Sequence, residues 1–290
     1  MIISIYLFCT FKFMSKNNFS KIYSKIPKIL TYSTLLSLSP ILADSISVSP
    51  IITVQEEEKS PPSPGLSFGV PSAYGASGGS LSLSISYSAD AQDGLFTSYK
   101  NGNKLADGSM NIGAGFGDPN KLAAEVSVSI FSLGCENGTS CFGEDGTMGV
   151  KLHKSFSDDS AVSAIGLGFS NAVKWGEASS IKTIYGVASK DLKLLDKDAL
   201  ISVGFGSGGF RSKGNIDAGT NDPNLFGGIG VELAPRISLA TSWNGSSLAA
   251  GFGLSPFDFP LSISIGLTDI TDVNGNGSQY SINTSYSFSF

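Results

Sequence analysis

From Gly65 to the C-terminus the chain repeats one pattern, runs of about ten residues in which apolar and small polar side chains alternate. Leu81, Leu83, Ile85 and Tyr87 alternate with Ser82, Ser84 and Ser86, and Ile237, Leu239, Thr241 and Trp243 alternate with Ser238, Ala240 and Ser242. A period of two puts the sets on opposite faces of an extended strand. Clusters of Gly, Asp, Asn, Pro and Ser separate the runs, as turns require. Twelve strands are predicted, over 79–88, 107–117, 121–133, 146–156, 160–171, 179–190, 199–209, 224–234, 236–244, 247–255, 260–268 and 279–290. Each is close to the roughly 9–11 residues with which a tilted strand crosses a bilayer.

A soluble sandwich alternates as well, so the connections carry more information. Links after the second, fourth, eighth and tenth strands are tight: Asp118-Pro-Asn120, Ser157-Asp-Asp159, Pro235 and Pro256-Phe-Asp-Phe259. Links after the first, third, seventh and eleventh are longer, through 89–106, 134–145, 210–223 and 269–278. Membrane barrels sort their connections this way, with short periplasmic turns and longer outer loops. The predicted fold is therefore all-β, a closed antiparallel transmembrane β-barrel of about 12 strands spanning 65–290. Its topology sets Tyr87, Trp243 and Tyr280 near the outer rim, and Phe116, Phe156, Phe257, Phe259, Phe288 and Phe290 near the inner rim, as two aromatic girdles.

The final run ends on a free Phe carboxylate, with Tyr280, Ile282, Thr284, Tyr286, Phe288 and Phe290 on one face and hydroxyl or amide side chains on the other. It resembles the C-terminal assembly signal of bacterial outer-membrane β-barrels. That resemblance implies recognition by barrel-assembly machinery through Tyr280, Ile282, Tyr286, Phe288 and Phe290, and an outer-membrane location in contact with lipid.

Composition agrees. Charged residues make up 15% of the 290 residues, hydrophobic residues 41%, and glycine contributes 35 positions. No stretch after the leader has the roughly 18 apolar residues of a spanning helix. Lys16, Lys21, Lys25 and Lys28 precede the apolar run Ile29 to Leu42, the order of a secretory signal peptide, with cleavage expected after Ala43 and Met14 as an alternative start. Removing 1–43 takes five lysines and no acid, which moves the formal net charge from −5 to −10 and argues against a nucleic-acid partner. Residues 44–64, with Glu56, Glu57, Glu58 and four prolines between Pro50 and Pro64, read as a flexible periplasmic linker. Cys135 and Cys141 bracket five residues that contain a Gly, and an exported chain would hold them as a loop disulfide. With His153 the only histidine, no metal site and no cofactor is expected.

The face predicted to line the bore is built of small residues, among them Gly113, Gly115, Gly166, Gly168, Gly228, Gly230, Gly251 and Gly253. Such a wall leaves room for water, an inward-folded loop or the Gly- and Ser-rich lead-in 65–78. Six charged or titratable residues are assigned to the lumen: Glu125, Lys151, His153, Lys182, Lys190 and Glu232. Pairing across the 134–145 loop places Glu125 opposite His153 and diagonal to Lys151. Such a group could form a polar constriction, or it could neutralise charge inside a wall.

Three patterns suggest enzymes. Gly204-Phe-Gly206-Ser-Gly208-Gly209 spells a dinucleotide fingerprint, but no helix is expected after it. His153-Lys-Ser155 resembles the His-x-Ser pair of outer-membrane phospholipases, although here it falls on the small-residue face without an orienting Asn or Asp. Asp269 to Gly277 departs from EF-hand spacing and reads as a solvated loop. Several segments, Pro71–Ala76, Gly115–Lys121, Gly149–His153, Ala172–Gly176 and Tyr185–Lys190, also resemble uncharacterised barrel proteins of marine cyanobacteria, which implies an outer-membrane barrel and no established activity. The expected function is a non-enzymatic, passive, porin-like channel for small polar solutes. The alternatives are a closed barrel whose outer loops bind partners and an outer-membrane lipid hydrolase.

Overall fold

The computed structural model describes residues 65–91, 99–100, 103–104, 106–131, 133, 142–156, 160–273 and 277–290. The leader 1–43, the linker 44–64 and both Cys135 and Cys141 lie outside the described residues. The strands are β1 (Ser80–Asp90), β2 (Tyr99–Lys100), β3 (Asn103–Lys104), β4 (Ala106–Asp118), β5 (Leu122–Phe131), β6 (Asp145–Ser155), β7 (Ala164–Trp175) and β8 (Thr183–Leu194). They continue with β9 (Lys197–Gly206), β10 (Asn224–Ala234), β11 (Ile237–Trp243), β12 (Leu248–Leu254), β13 (Leu261–Thr268) and β14 (Gln279–Ser289). Twelve of them close into one antiparallel barrel in the order β1-β14-β13-β12-β11-β10-β9-β8-β7-β6-β5-β4, and β2 and β3 form a separate two-residue ribbon. β1 seals the barrel by pairing with β4 on one side and with the C-terminal strand β14 on the other.

The expected sorting of connections is present except between β11 and β12, whose link at the long-loop end is only 244–247. β8 turns into β9 through Leu195 and Asp196, and β10 into β11 through Pro235 and Arg236, at the end where β1 begins and β14 ends. Leu195, Asp196 and Arg236 take positive φ, the local cost of such tight reversals. The opposite end carries the long 207–223 connection, with a 3-10 turn at Gly208–Phe210 and one short helix, α1 (Lys213–Ala218). Ser212 caps α1 by accepting from the Asn215 N–H, and Gly219 ends it in the left-handed region. The sequence expectation of no helix after the Gly204–Gly209 run is thus corrected. The glycines there serve packing instead. A Cβ at Gly204 would lie 2.1 Å from the Phe226 ring, and one at Gly208 would lie 2.5 Å from the Thr183 hydroxyl.

The outer surface is apolar around the barrel. Phe116, Leu122, Leu167, Ile184, Val203, Phe205, Leu225 and Phe252 are each more than half exposed. Soluble monomers do not expose apolar area on this scale, whereas hydrocarbon accepts a closed sheet with no unpaired edge. No helix among the described residues is long and apolar enough to cross a membrane. At the short-turn end Phe116, Phe257, Phe259, Phe288 and Phe290 are exposed, and Phe257 stacks on Phe259 at 4.8 Å. Lys154 lies 5.6 Å over the Phe156 ring, its chain reaching along the wall. Trp243 is exposed at the other rim, but Tyr87 departs from the expected girdle. It is only 8% exposed and packs with Ala89 and Ile282.

Two strands differ from the sequence expectation in position. β7 and β8 begin at Ala164 and Thr183 and end at Trp175 and Leu194, four residues later at each end than the alternation suggested. Between Met148 and Val150 the β6–β7 register shifts, and Asn171, at φ 54, occupies the extra length. Its side chain accepts from Thr147 Oγ1 and donates to the Ile181 carbonyl, both at 2.9 Å, which satisfies the bulge.

Candidate functional site in the barrel bore

Residues 65–79, here the strap, run inside the barrel. The strap starts at the short-turn end, where Ser238 Oγ donates to the Gly65 carbonyl at 2.6 Å. It climbs past β10, turns at Gly69, and descends past β7, β6 and β4 to join β1. Gly69 makes the turn possible. It adopts φ +77, and a Cβ on it would fall 2.6 Å from Ser242 Oγ and 2.8 Å from Ala249. Ser242 Oγ donates to the Phe68 carbonyl at 2.6 Å from the same place.

The glycines of the wall are the negative of this strap. A Cβ at Gly230 would meet the Leu66 carbonyl oxygen at 2.1 Å, one at Gly115 would meet that of Ser77 at 2.1 Å, and one at Gly253 would meet that of Gly65 at 2.7 Å. The Phe68 ring lies on Gly251 and Gly266, where added Cβ atoms would come within 3.0 and 2.7 Å. Wall positions that looked vacant in the sequence are occupied by backbone and rings. The seam between Leu66–Val70 and Ser202, Gly228, Ile229 and Thr241 has no room for a water molecule.

At the strap's turn the bore holds an apolar cluster. Val70, Ala73, Tyr185, Val187, Phe210 and Phe226 form a buried cluster. Phe210, carried inward by the 207–223 connection, stacks on Phe226 at 3.8 Å, and Tyr185 meets both rings edge-on. Gly168 and Gly204 open niches for the Tyr185 and Phe226 rings, since a Cβ at either would lie 2.1 Å from its ring.

Of the six residues assigned to the lumen, the structure brings three together. Glu125, Lys151 and His153 are buried on the inner face of β5 and β6. Their register differs by two residues from the expectation: Glu125 faces Lys151 directly and Ala123 faces His153. The loop closes with Phe131 opposite Asp145, and a shift of two preserves the face while moving the partner. Lys151 Nζ donates to the Ser72 carbonyl at 3.4 Å and to the Tyr74 carbonyl, and Glu125 accepts from the Ala76 N–H at 2.8 Å. His153 closes over Gly75, where a Cβ would meet its ring at 2.8 Å. Glu232 shares the inner parity of β10 opposite Ser238. Lys182 and Lys190 are corrected. Lys182 is exposed ahead of β8, and Lys190 shares the parity of the exposed Ile184, its ammonium bonding the Ser160 carbonyl at 2.8 Å. The inner parity of β8 belongs instead to Thr183, Tyr185, Val187 and Ser189. Ser189 was absent from the sequence-derived set, yet its Oγ accepts from the Ala73 N–H at 2.8 Å and bonds Ser202 Oγ at 2.7 Å.

His153 and Ser155 lie on the bore side of β6, with His153 2% exposed and away from the lipid face. No cluster of potential metal ligands occurs among the described residues.

No family model and no curated protein sequence matches the chain. In structure it is similar to the KdgM porin, with a TM-score of 0.42, 11% identity, and 71% of this chain and 99% of the porin covered. It is likewise similar to the COG4313 outer membrane channel from Pseudomonas putida F1, with a TM-score of 0.38, 12% identity, and 74% and 98% of the two chains covered. The outer membrane phospholipase A of Escherichia coli, as an active-site mutant, aligns with a TM-score of 0.40, 14% identity, and 73% and 90% covered. Similarities this low carry no argument about activity. The closed sheet and its apolar belt make the chain a transmembrane β-barrel.

Proposed function

We propose that the protein is a porin-like outer-membrane barrel that rests closed, with its own strap in the bore, and that passes small polar solutes only when the strap leaves. The fit of Gly115, Gly230 and Gly253 to the strap carbonyls carries this reading, because a wall kept that small without side chains is shaped for a backbone. With the strap displaced, the lining would be Ser and Gly beside the apolar side chains of Tyr185, Val187, Phe210 and Phe226, with Glu125 opposite Lys151, a mixed-sign pair that makes no strong field for either ion type. Tyr280, Ile282, Tyr286 and Phe288 on β14, with Phe290 just after it, are offered to the assembly machinery, and the apolar belt to lipid. The leader exports the chain, the 44–64 linker tethers the strap on the periplasmic side, and Cys135 and Cys141 join in an outer loop.

Planar-bilayer recording of the refolded full-length protein tests this. The unmodified barrel is expected to hold a silent baseline, and Gly230→Val, whose side chain collides with the Leu66 carbonyl, is expected to give discrete steps. Steady openings from the unmodified protein would contradict it. The apolar cluster of Val70, Tyr185, Phe210 and Phe226 favours a second reading, a permanently closed structural barrel, under which Gly230→Val stays silent as well. We assign no lipid hydrolysis to His153 and Ser155, because both sit inside the bore rather than against lipid.

A further inference from the structure

We propose that the bore is a binding site for unfolded peptides that bend at a glycine as the strap, its resident example, does at Gly69; this rests on the closed-barrel reading above. The wall addresses the strap through its main chain. Ser238, Ser242 and Lys151 donate to the carbonyls of Gly65, Phe68, Ser72 and Tyr74, while Ser189, Glu125 and the Gly117 carbonyl accept from the amides of Ala73, Ala76 and Gly78. Donors and acceptors placed along both limbs recognise the main chain of any peptide that takes the same bend and whose side chains fit, as other peptide-binding proteins do with backbone contacts for affinity and pockets for selectivity.

The side-chain requirements are few and readable. An aromatic ring at position 68 fills the slot over Gly251 and Gly266. Only glycine suits position 69, given its φ and the 2.6 Å approach of Ser242. A branched apolar residue at 70 packs on Gly228 and the Phe210–Phe226 stack, and the Ala73 backbone lies 3.1–3.4 Å from where a Gly166 Cβ would be, so residue 73 is small. The ligand class is thus an unfolded peptide carrying aromatic-Gly-branched-x-x-small, without charge at those positions. A solute of this class would compete with the strap for the same atoms, which ties occupancy of the bore to peptide outside it.

The test uses the full-length chain with Phe68→Ser and Val70→Asp, which strips the strap of its anchors and leaves the wall intact. Heat-modifiable migration on gels verifies that the barrel has formed, and Phe68→Ala alone is the milder variant should it not. Three fluorescent peptides are titrated by anisotropy in detergent: the native 65–78 sequence, one with Ser or Ala everywhere except positions 68, 69, 70 and 73, and one bearing both substitutions. The first two should bind within ~10-fold of each other, and the third at least ~100-fold more weakly, as loss of two buried anchors implies. The unmodified protein, its bore already filled, should bind the native peptide at least ~10-fold less tightly than the variant does. Absence of saturable binding to the variant, or equal binding to variant and unmodified protein, would overturn the peptide site. Conductance separates this from the preceding proposal. Open steps that no peptide blocks leave the strap-closed channel standing and remove the peptide site, while binding to a silent variant does the reverse.

Discussion

The rising limb of the strap, Gly65–Val70, lies against β10 to β13 through glycine packing and two neutral hydroxyl bonds, whereas the descending limb, Ser72–Gly78, lies against β4 to β8 through glycine packing on Gly115 and Gly166 and, in addition, bonds to Lys151, Glu125 and Ser189. Both limbs are free of charge, the rising one carrying Leu66, Phe68 and Val70 and the descending one only Tyr74 among small residues. The wall differs as well. On the rising side the fit is steric, and any added atom at Gly230 or Gly253 must displace the backbone. On the descending side a cation and a carboxylate, facing each other across β5 and β6, are each bonded to peptide groups. Charge-assisted bonds are the stronger ones individually, but they carry a burial cost that the strap itself helps to offset. A limb held without charged bonds is expected to leave all at once, and one that has them as well to loosen by degrees.

The largest effect should come from filling the mould. Gly230→Val and Gly115→Val each place a Cβ about where a strap carbonyl oxygen now sits, 2.1 Å away, and overpacking of this kind costs typically ~1–3 kcal/mol or more. Chymotrypsin, which cuts beside Phe68 and Tyr74, reads the outcome: Gly230→Val should expose Phe68 first and Gly115→Val should expose Tyr74 first. Simultaneous exposure in both variants would show that the limbs act as one unit. Next comes Phe68→Ala, which empties the slot over Gly251 and Gly266 and should weaken the rising limb by ~3 kcal/mol, read by amide exchange of the limb because this variant lacks the Phe68 cut site. Lys151→Met leaves the Ser72 and Tyr74 carbonyls without their donor and Glu125 without the cation it faces, an expected loss of ~2–3 kcal/mol on the descending limb. Adding Glu125→Gln to Lys151→Met should cost less than the two singles summed, since the carboxylate no longer needs a counter-charge. The smallest effects belong to Ser238→Ala and Ser242→Ala, ~1 kcal/mol each, confined to the rising limb.

Most of the barrel was legible because lipid and bore impose opposite demands on alternate residues. The strand number, the sorting of short and long connections, the C-terminal strand and the Gly and Ser faces of β1, β4, β10, β11 and β12 all followed from that alternation. The rule failed on β8. There Tyr185 and Val187 face inward, because they pack in one apolar cluster with Val70 and Ala73 of the strap and with Phe210 and Phe226, and the lysines at 182 and 190 were placed inside by default. The Glu125–His153 pairing failed for a different reason. A long loop does not fix register, and a slip of two leaves the face unchanged while it exchanges the partner. The strap itself was visible only as one of three ways to fill a small-residue wall. Its placement depends on contacts between residues more than 100 positions apart, such as Ala73 with Ser189 and Gly65 with Ser238, and no local pattern encodes those.

Amide hydrogen exchange on the unmodified full-length barrel tests the central claim most directly. The Ala73, Ala76 and Gly78 amides, bonded to Ser189 Oγ, Glu125 and the Gly117 carbonyl, should exchange as slowly as the amides of β5 and β6. Exchange of those three at the rate of a free chain, with the barrel strands still protected, would mean that the bore does not hold the strap.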